Sequence, residues 1–430
     1  MKREQVTGLS KAILAVAVAA VVVGCGGSSG DRQPDPANQL SFDGGLSAQG
    51  ADVSSLAATE RTTGALVDDG NVFAEFIARV NQDIASVNTP DVSENEIIIL
   101  GAAERSHRLL DLAFFSSQYD GDRSARLKGH RSQTLVALSS QELPEGEWTS
   151  TLKCPEGGEL VSKIERAMDD SGAISVMNET LLQTFESCTV LVDNNERLVL
   201  DGTWKTETEE RGAVETLDNG SVEGQWTDTF TTRIDLRGSR SGMEDVLVLD
   251  GALSGEESGD WSETGDGVQG RGTFLLNVGR MEARLAPSSG NPFYVGQLDG
   301  SLIEEFTFSG PSSERLTEEG EARISGKLVS SGMQGALSIR TEKTVRYAGT
   351  LDELAEACPA AGIVVVSGAG GDEVQIRFGE PPAGDTGGTG NVVEIVAPGD
   401  PPRLYASCAE ADYLGPIFYG PFSQYADDGR

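Results

Sequence analysis

From Trp148 to about residue 350 one pattern repeats: short runs of Val, Thr, Leu, Ile and Phe alternate with acidic and small residues, and clusters of Gly, Asn, Asp and Ser separate the runs. Side chains on a strand point alternately to opposite faces, so a period of two gives one apolar face and one polar face, the signature of a half-buried strand. Examples are ERLVLDG, VEGQWTDTFTTRIDLRG, EDVLVLDG, GTFLLNVGRMEARLA and EARISGKLVSSGMQGALSIRTE. The turn residues between them make successive strands antiparallel neighbours. Asn219-Gly220 predicts a type I′ hairpin turn, whose two central positions need positive φ. The expected fold is mainly β: a large curved antiparallel β-meander or open barrel with a small N-terminal helical segment.

Leu-Asp-Gly occurs at residues 200–202, 249–251 and 298–300, each time ending an apolar run and each time 49 residues on. The spacing predicts internal duplication of a four-strand or five-strand unit, unless the tripeptide recurs by composition in a chain rich in Asp and Gly. It also overlaps the length of a propeller blade, although a propeller needs more units than three.

Ahead of the β region, DDGNVFAEFIARVNQDIASV places Val72, Phe73, Phe76, Ile77, Val80 and Ile84 on one stripe of helical period. Asp69 or Asn71 is a candidate cap, and Pro90 halts the helix. The next run, residues 97–119, is ambiguous: Leu109, Leu110, Leu112 and Phe115 suit a helix, whereas Ile97 to Leu100 suit a strand. Residues 67–142 are therefore expected to be mainly helical, followed by an antiparallel β-domain over 143–356 and a C-terminal β segment over 357–430.

The N-terminus gives an address. Lys2, Arg3 and Lys11 precede an apolar run, Ala12 to Val23, that is far shorter than the roughly 20 residues a bilayer span needs. Val22-Val23-Gly24-Cys25 at its end resembles the lipobox of bacterial lipoproteins. The resemblance implies a signal peptide over 1–24, cleavage before Cys25 and lipidation of that cysteine. Gly26, rather than an aspartate, follows it, which in Gram-negative lipoproteins resembles release to the outer membrane. Two or three acyl chains anchor stably where a single chain binds marginally. Residues 25–66, rich in Gly, Ser, Ala, Asp and Gln, are expected to form a flexible tether.

Four further cysteines, Cys154, Cys188, Cys358 and Cys408, are an even set in an exported chain and so point to disulfides. Of the three connectivities, local pairing of Cys154 with Cys188 and Cys358 with Cys408 is expected, because each pair brackets a similar segment. Each begins Cys-Pro-x-x-Gly, runs into a strand, turns through Gly and Asp, and returns to a cysteine. A zinc site is disfavoured, since neither His107 nor His130 is near a cysteine. The Cys-Pro-x-Gly-Gly start, the strands after it and the Phe-x-x-Cys close also resemble uncharacterised β-rich lipoproteins of the proteobacterial envelope, a resemblance that implies no activity.

Charge narrows the partners. A net charge of -35 repels phosphate backbones, and no basic stripe offsets it, so nucleic acid is not expected to bind. Catalysis by a Ser or Cys nucleophile needs a base within hydrogen-bond reach, and both histidines lie outside the β region. The one G-x-S-x-G match, residues 26–30, falls in the tether rather than on a strand-to-helix elbow. Among 68 acidic residues, no carboxylate pair stands out for glycoside hydrolysis. Asp260, Glu263 and Asp266, or Asp193 and Asn195, read as solvated turns more than as calcium loops. The C-terminal YLGPIFYGPFSQY groups Tyr413, Phe418, Tyr419, Phe422 and Tyr425, and is expected to cover a sheet edge. These observations lead to an outer-membrane lipoprotein without cofactor, metal or catalytic site. Its expected role is structural or protein-binding; an apolar-ligand module and a carboxylate hydrolase stand as second and third readings.

Overall fold

The computed structural model describes residues 46–87, 145–169, 174–192, 196–240, 243–286, 293–312, 315–350, 359–379 and 392–406. One helix, α1 (Leu56–Val87), precedes the strands. These are β1 (Gly146–Lys153), β2 (Glu159–Asp169), β3 (Ile174–Val192), β4 (Glu196–Thr216), β5 (Val222–Arg240), β6 (Met243–Thr264) and β7 (Gly267–Leu285). They continue as β8 (Phe293–Ser312), β9 (Arg315–Ser330), β10 (Gly335–Thr350), β11 (Ala361–Ser367), β12 (Glu373–Gly379), β13 (Val392–Val396) and β14 (Arg403–Tyr405). Every strand pairs antiparallel with its chain neighbours, giving one 14-stranded sheet in sequence order. The sheet is a curved meander whose end strands do not pair with each other, so it is neither a closed barrel nor a set of propeller blades. The boundary expected at residue 356 falls between β10 and β11, which pair, so the C-terminal segment extends the same sheet.

α1 runs along one end of this sheet and is pinned there by its carboxylates. Asp83 Oδ2 accepts from Leu191 N at the end of β3 (2.7 Å), and Asp69 Oδ2 accepts from Gly332 N (2.7 Å) and Ser331 Oγ (3.0 Å) between β9 and β10. Asp69 thus lies inside the helix and ties it to the sheet rather than capping it. The N-cap is Ser55, whose Oγ accepts from Ala58 N at 3.1 Å, while Asp400 Oδ2 takes the orphan N–H of Leu56 at 2.7 Å. Val80 and Ile84 of the expected stripe are buried against the principal core.

The helix therefore begins well before residue 67, and the tether ends earlier than its composition suggests. Ala58, Thr59, Thr62, Thr63 and Leu66 form a buried face made almost wholly of small residues. Thr59 and Thr63 hydroxyls donate to carbonyls four residues back, which satisfies them inside the core. Just upstream, Val53 is 0 % exposed. Residues 49–51 bridge β10 to the turn after β11: Ala51 N donates to Ala336 O (2.9 Å), Ala336 N to Gln49 O (2.7 Å) and Ala369 N to Ala51 O (2.7 Å).

The three Leu-Asp-Gly tripeptides fall on β4, β6 and β8, so the 49-residue unit is a two-stranded hairpin rather than four or five strands. Gly202 (φ 139°) and Gly251 (φ 152°) are where each strand is pressed onto the next: a Cβ there would stand 2.1 Å from Asp235 O or 2.0 Å from Arg280 O. At the Asn219-Gly220 turn only Gly220 has positive φ, at 81°. Leu217 N donates to Ser221 O and Gly220 N to Leu217 O, so the turn is a longer loop closed by a left-handed glycine rather than type I′.

Cys154 and Cys188 are bonded, with Cα atoms 5.3 Å apart, and join the turn after β1 to β3. Cys25, Cys358, Cys408, both histidines, the run over 97–119 and the C-terminal aromatics lie outside the described residues. The bridge closes a loop of sequence separation 34. Replacing both cysteines with serine is expected to lower the unfolding free energy by about 3 kcal/mol. Denaturant titration of the oxidised protein checks this, and coincident midpoints would remove the bridge from the fold's stability.

Candidate functional site

The inner face, which carries the principal core and α1, changes character along the strands. Residues at matching positions form rows across the sheet. Near α1 the rows are apolar, as in Leu236, Leu249 and Ala283. Further along, Thr206 and Thr232 hydroxyls meet at 3.1 Å inside the core. The next row begins with a buried ion pair: Arg166 Nε donates to Glu179 Oε2 at 2.9 Å, with side chains 2 % and 6 % exposed. The Arg166 guanidinium also lies 5.8 Å from the centre of the Trp148 ring.

Beyond the ion pair lies a row of carboxylates. Glu210, Asp228, Glu257, Phe274, Glu304 and Ala322 are successive partners from β4 to β9. Glu257 and Glu304 are buried, and Glu318, farther along β9, is 0 % exposed. Two rows of aromatics and glycines follow. Trp226 pairs with Gly259, Gly272 with Phe306, Gly224 with Trp261, and Gly270 with Phe308. A Cβ on Gly259, Gly224 or Gly272 would come within 2.5 Å of the partner ring, so each ring lies flat over its neighbour's backbone. These rings, with Val268 and Leu316, make a second apolar cluster at the end remote from α1.

Asp228 and Glu257 face each other on adjacent strands, the kind of carboxylate pair that hydrolysis employs. Catalysis also needs room for a substrate, and Glu257, Glu304 and Glu318 are held away from solvent. The arrangement therefore keeps charge inside the protein. The residues proposed for calcium do not converge: Asp260 and Glu263 are an odd number of positions apart on β6 and point to opposite faces, and Asp260 pairs with Arg271 at 2.8 Å. Among the described residues no group of three or more His, Cys, Asp or Glu side chains is placed to hold a metal ion, and no helix is long and apolar enough to cross a membrane.

The outer face carries a second charge cluster. Arg237 reaches Asp235 (3.1 Å), Asp250 (3.2 Å) and Asp245 (3.7 Å), and Arg280 contacts Glu282 at 3.1 Å. Glu282 is largely buried, and desolvation raises its pKa above the ordinary carboxylate value, with Asp250 adding to the rise against the opposing pull of Arg280 and Arg284.

No protein-family model matches the chain, no curated protein matches it, and no solved structure matches it.

The inner carboxylates were not singled out by sequence because they sit among 68 acidic residues. The signal that marks them is phase: Glu304 has the same parity on β8 as Phe306 and Phe308, and Glu257 the same parity on β6 as Trp261.

Two outcomes follow from these charges. Glu179→Gln leaves Arg166 buried beside a neutral group and is expected to cost roughly 3–5 kcal/mol, whereas Arg166→Met with Glu179→Leu costs much less; chemical unfolding of the three proteins tests the difference. At Glu282 the folded pKa exceeds the unfolded one, so the native state binds more protons between them and stability falls as pH rises through that window. The stability of Glu282→Gln relative to wild type is therefore expected to be greatest near pH 7 and to shrink toward pH 4. A constant difference across that range would contradict the assignment.

Proposed function

We propose that the chain is a lipoprotein of the bacterial outer membrane, anchored through Cys25, with a non-catalytic structural or protein-interaction role in the cell envelope. The row Glu257 and Glu304, with Glu318 beyond it, carries this choice over that of a lipid carrier. Acyl chains need a continuous apolar bed, and buried carboxylates along it would have to give up water without return. That leaves the outer face and the sheet edges for contact with a partner. The outer face of β5 to β9 is polar and hydroxyl-rich, as in the row Thr231, Ser254, Asn277, Ser301 and Ser325, where the last two hydroxyls are 2.7 Å apart. The net charge of -35 favours protein over nucleic acid or an anionic lipid surface as that partner. The anchor takes over the task of membrane attachment, so the folded part needs no membrane-binding face.

The apolar rows beside α1 favour the second reading, a site for a small apolar ligand. One preparation separates the two. Cells expressing wild type and Cys25→Ser are labelled with palmitate and fractionated, and the wild-type lipoprotein is examined by native and denaturing mass spectrometry. The expected result is label and outer-membrane recovery that Cys25→Ser abolishes, with no further mass lost on denaturation. Unlabelled wild type would sink the anchor, and a lipid-sized mass released on denaturation would replace the interaction role by the carrier.

A further inference from the structure

The inner carboxylates lie where neither strand ends nor α1 reach them. Glu257 is seven residues inside the end of β6 at Thr264, about 23 Å at a rise of ~3.3 Å per residue. Turns at that end stay near the strand tips, and α1 packs at the other end, against the tip of β3 and the β9–β10 turn. A single sheet does not bury its own face, yet Glu257, Phe274, Glu304 and Glu318 are all buried. Each of them, with Glu210 and Asp228, engages a further group. Those partners are not among the ion pairs and hydrogen bonds within the described residues.

The chain outside the described residues has one stretch with the charge to meet them. Between α1 and β1, residues 105–131 contain Arg105, Arg108, Arg123, Arg126, Lys128 and Arg131 against three acids, together with both histidines, in a protein whose net charge is -35. The endpoints require the connection to travel along the sheet. It leaves α1 beyond Asp83, which is bonded to Leu191 at the helix end, and it re-enters at Gly146, which pairs with Arg166 one row short of the carboxylates. The apolar residues of the same stretch, Leu109, Leu110, Leu112, Phe114 and Phe115, suit the aromatic rows beyond.

We propose that the inner face of β4 to β9 is the docking surface for this chain's own residues 105–131, whose arginines and lysine neutralise Glu257, Glu304 and Glu318. A buried carboxylate is tolerated when it is paired, and a guanidinium is the cation best suited to pairing it. The inference stands apart from the envelope role: it holds or fails whether or not Cys25 is lipidated.

Hydrogen exchange read by mass spectrometry on the full mature chain tests it. In wild type, amides of 105–131 are expected to exchange at least tenfold more slowly than in a synthetic peptide of the same sequence. Glu257→Gln with Glu304→Gln is expected to remove most of that protection, while amides of β4 to β7 stay protected. Exchange of 105–131 at the peptide rate in wild type overturns the proposal without recourse to any variant. So does protection that persists unchanged in a folded double variant, or a cationic small molecule that native mass spectrometry finds bound to the wild type and lost on denaturation.

Discussion

One sheet with no second sheet against it must still remove its inner face from water, and the rest of the structure depends on how that is done. At one end the answer is a helix. α1 lies along the strand tips, and its attachment is polar as well as apolar: Asp69 and Asp83 take backbone N–H groups that strand ends leave without ladder partners, while Leu66, Val80 and Ile84 enter the core. The helix is thereby set against elements far apart in sequence, from β3 to the turn before β10. Residues 49–51 and Asp400 add the β11–β14 side, so the N-terminal part holds the two halves of the meander in one body.

At the other end the cover is lateral. Trp226, Trp261, Phe306 and Phe308 lie over glycines of neighbouring strands, where any side chain would collide with the ring. This removes both a large apolar surface and an exposed stretch of backbone from water, and it needs no further layer of chain. The arrangement works in one register only. Each aromatic must face a glycine, so the sequence positions of rings and glycines on adjacent strands are coupled across the sheet.

The meander was legible because it rests on the period of two and on turn residues, both of which are local. The cysteine pair was legible for a similar reason, since Cys154 and Cys188 bracket a single hairpin. The start of α1 was not. Ala58, Thr59, Thr62 and Thr63 are small or hydroxylated, and they count as tether by composition although together they form a buried helical face. The repeat unit was overestimated because the strands are long: β4 to β8 run 19 to 22 residues each, so one hairpin fills the 49-residue spacing. The carboxylate row stayed hidden because it is defined by cross-strand register, which no single run of sequence contains.

Buried charge on such a face carries a cost that an apolar row would avoid, so its presence calls for a physical reason. Register supplies one. A slip of a single residue between neighbouring strands turns every side chain to the other face. On β6 it would carry Glu257 outward and bring Glu256 and Ser258 in, while Trp261 would leave its glycine and Asp260 would enter the aromatic cluster. A purely apolar inner face of Val and Leu discriminates weakly between neighbouring pairings along strands this long. Arg166 opposite Glu179, and carboxylates that tolerate burial only beside a cation, make each wrong pairing leave a charge without compensation. The charged rows thus trade stability for a single alignment of the long central strands, which is what fixes the shape of the outer surface that a partner would meet.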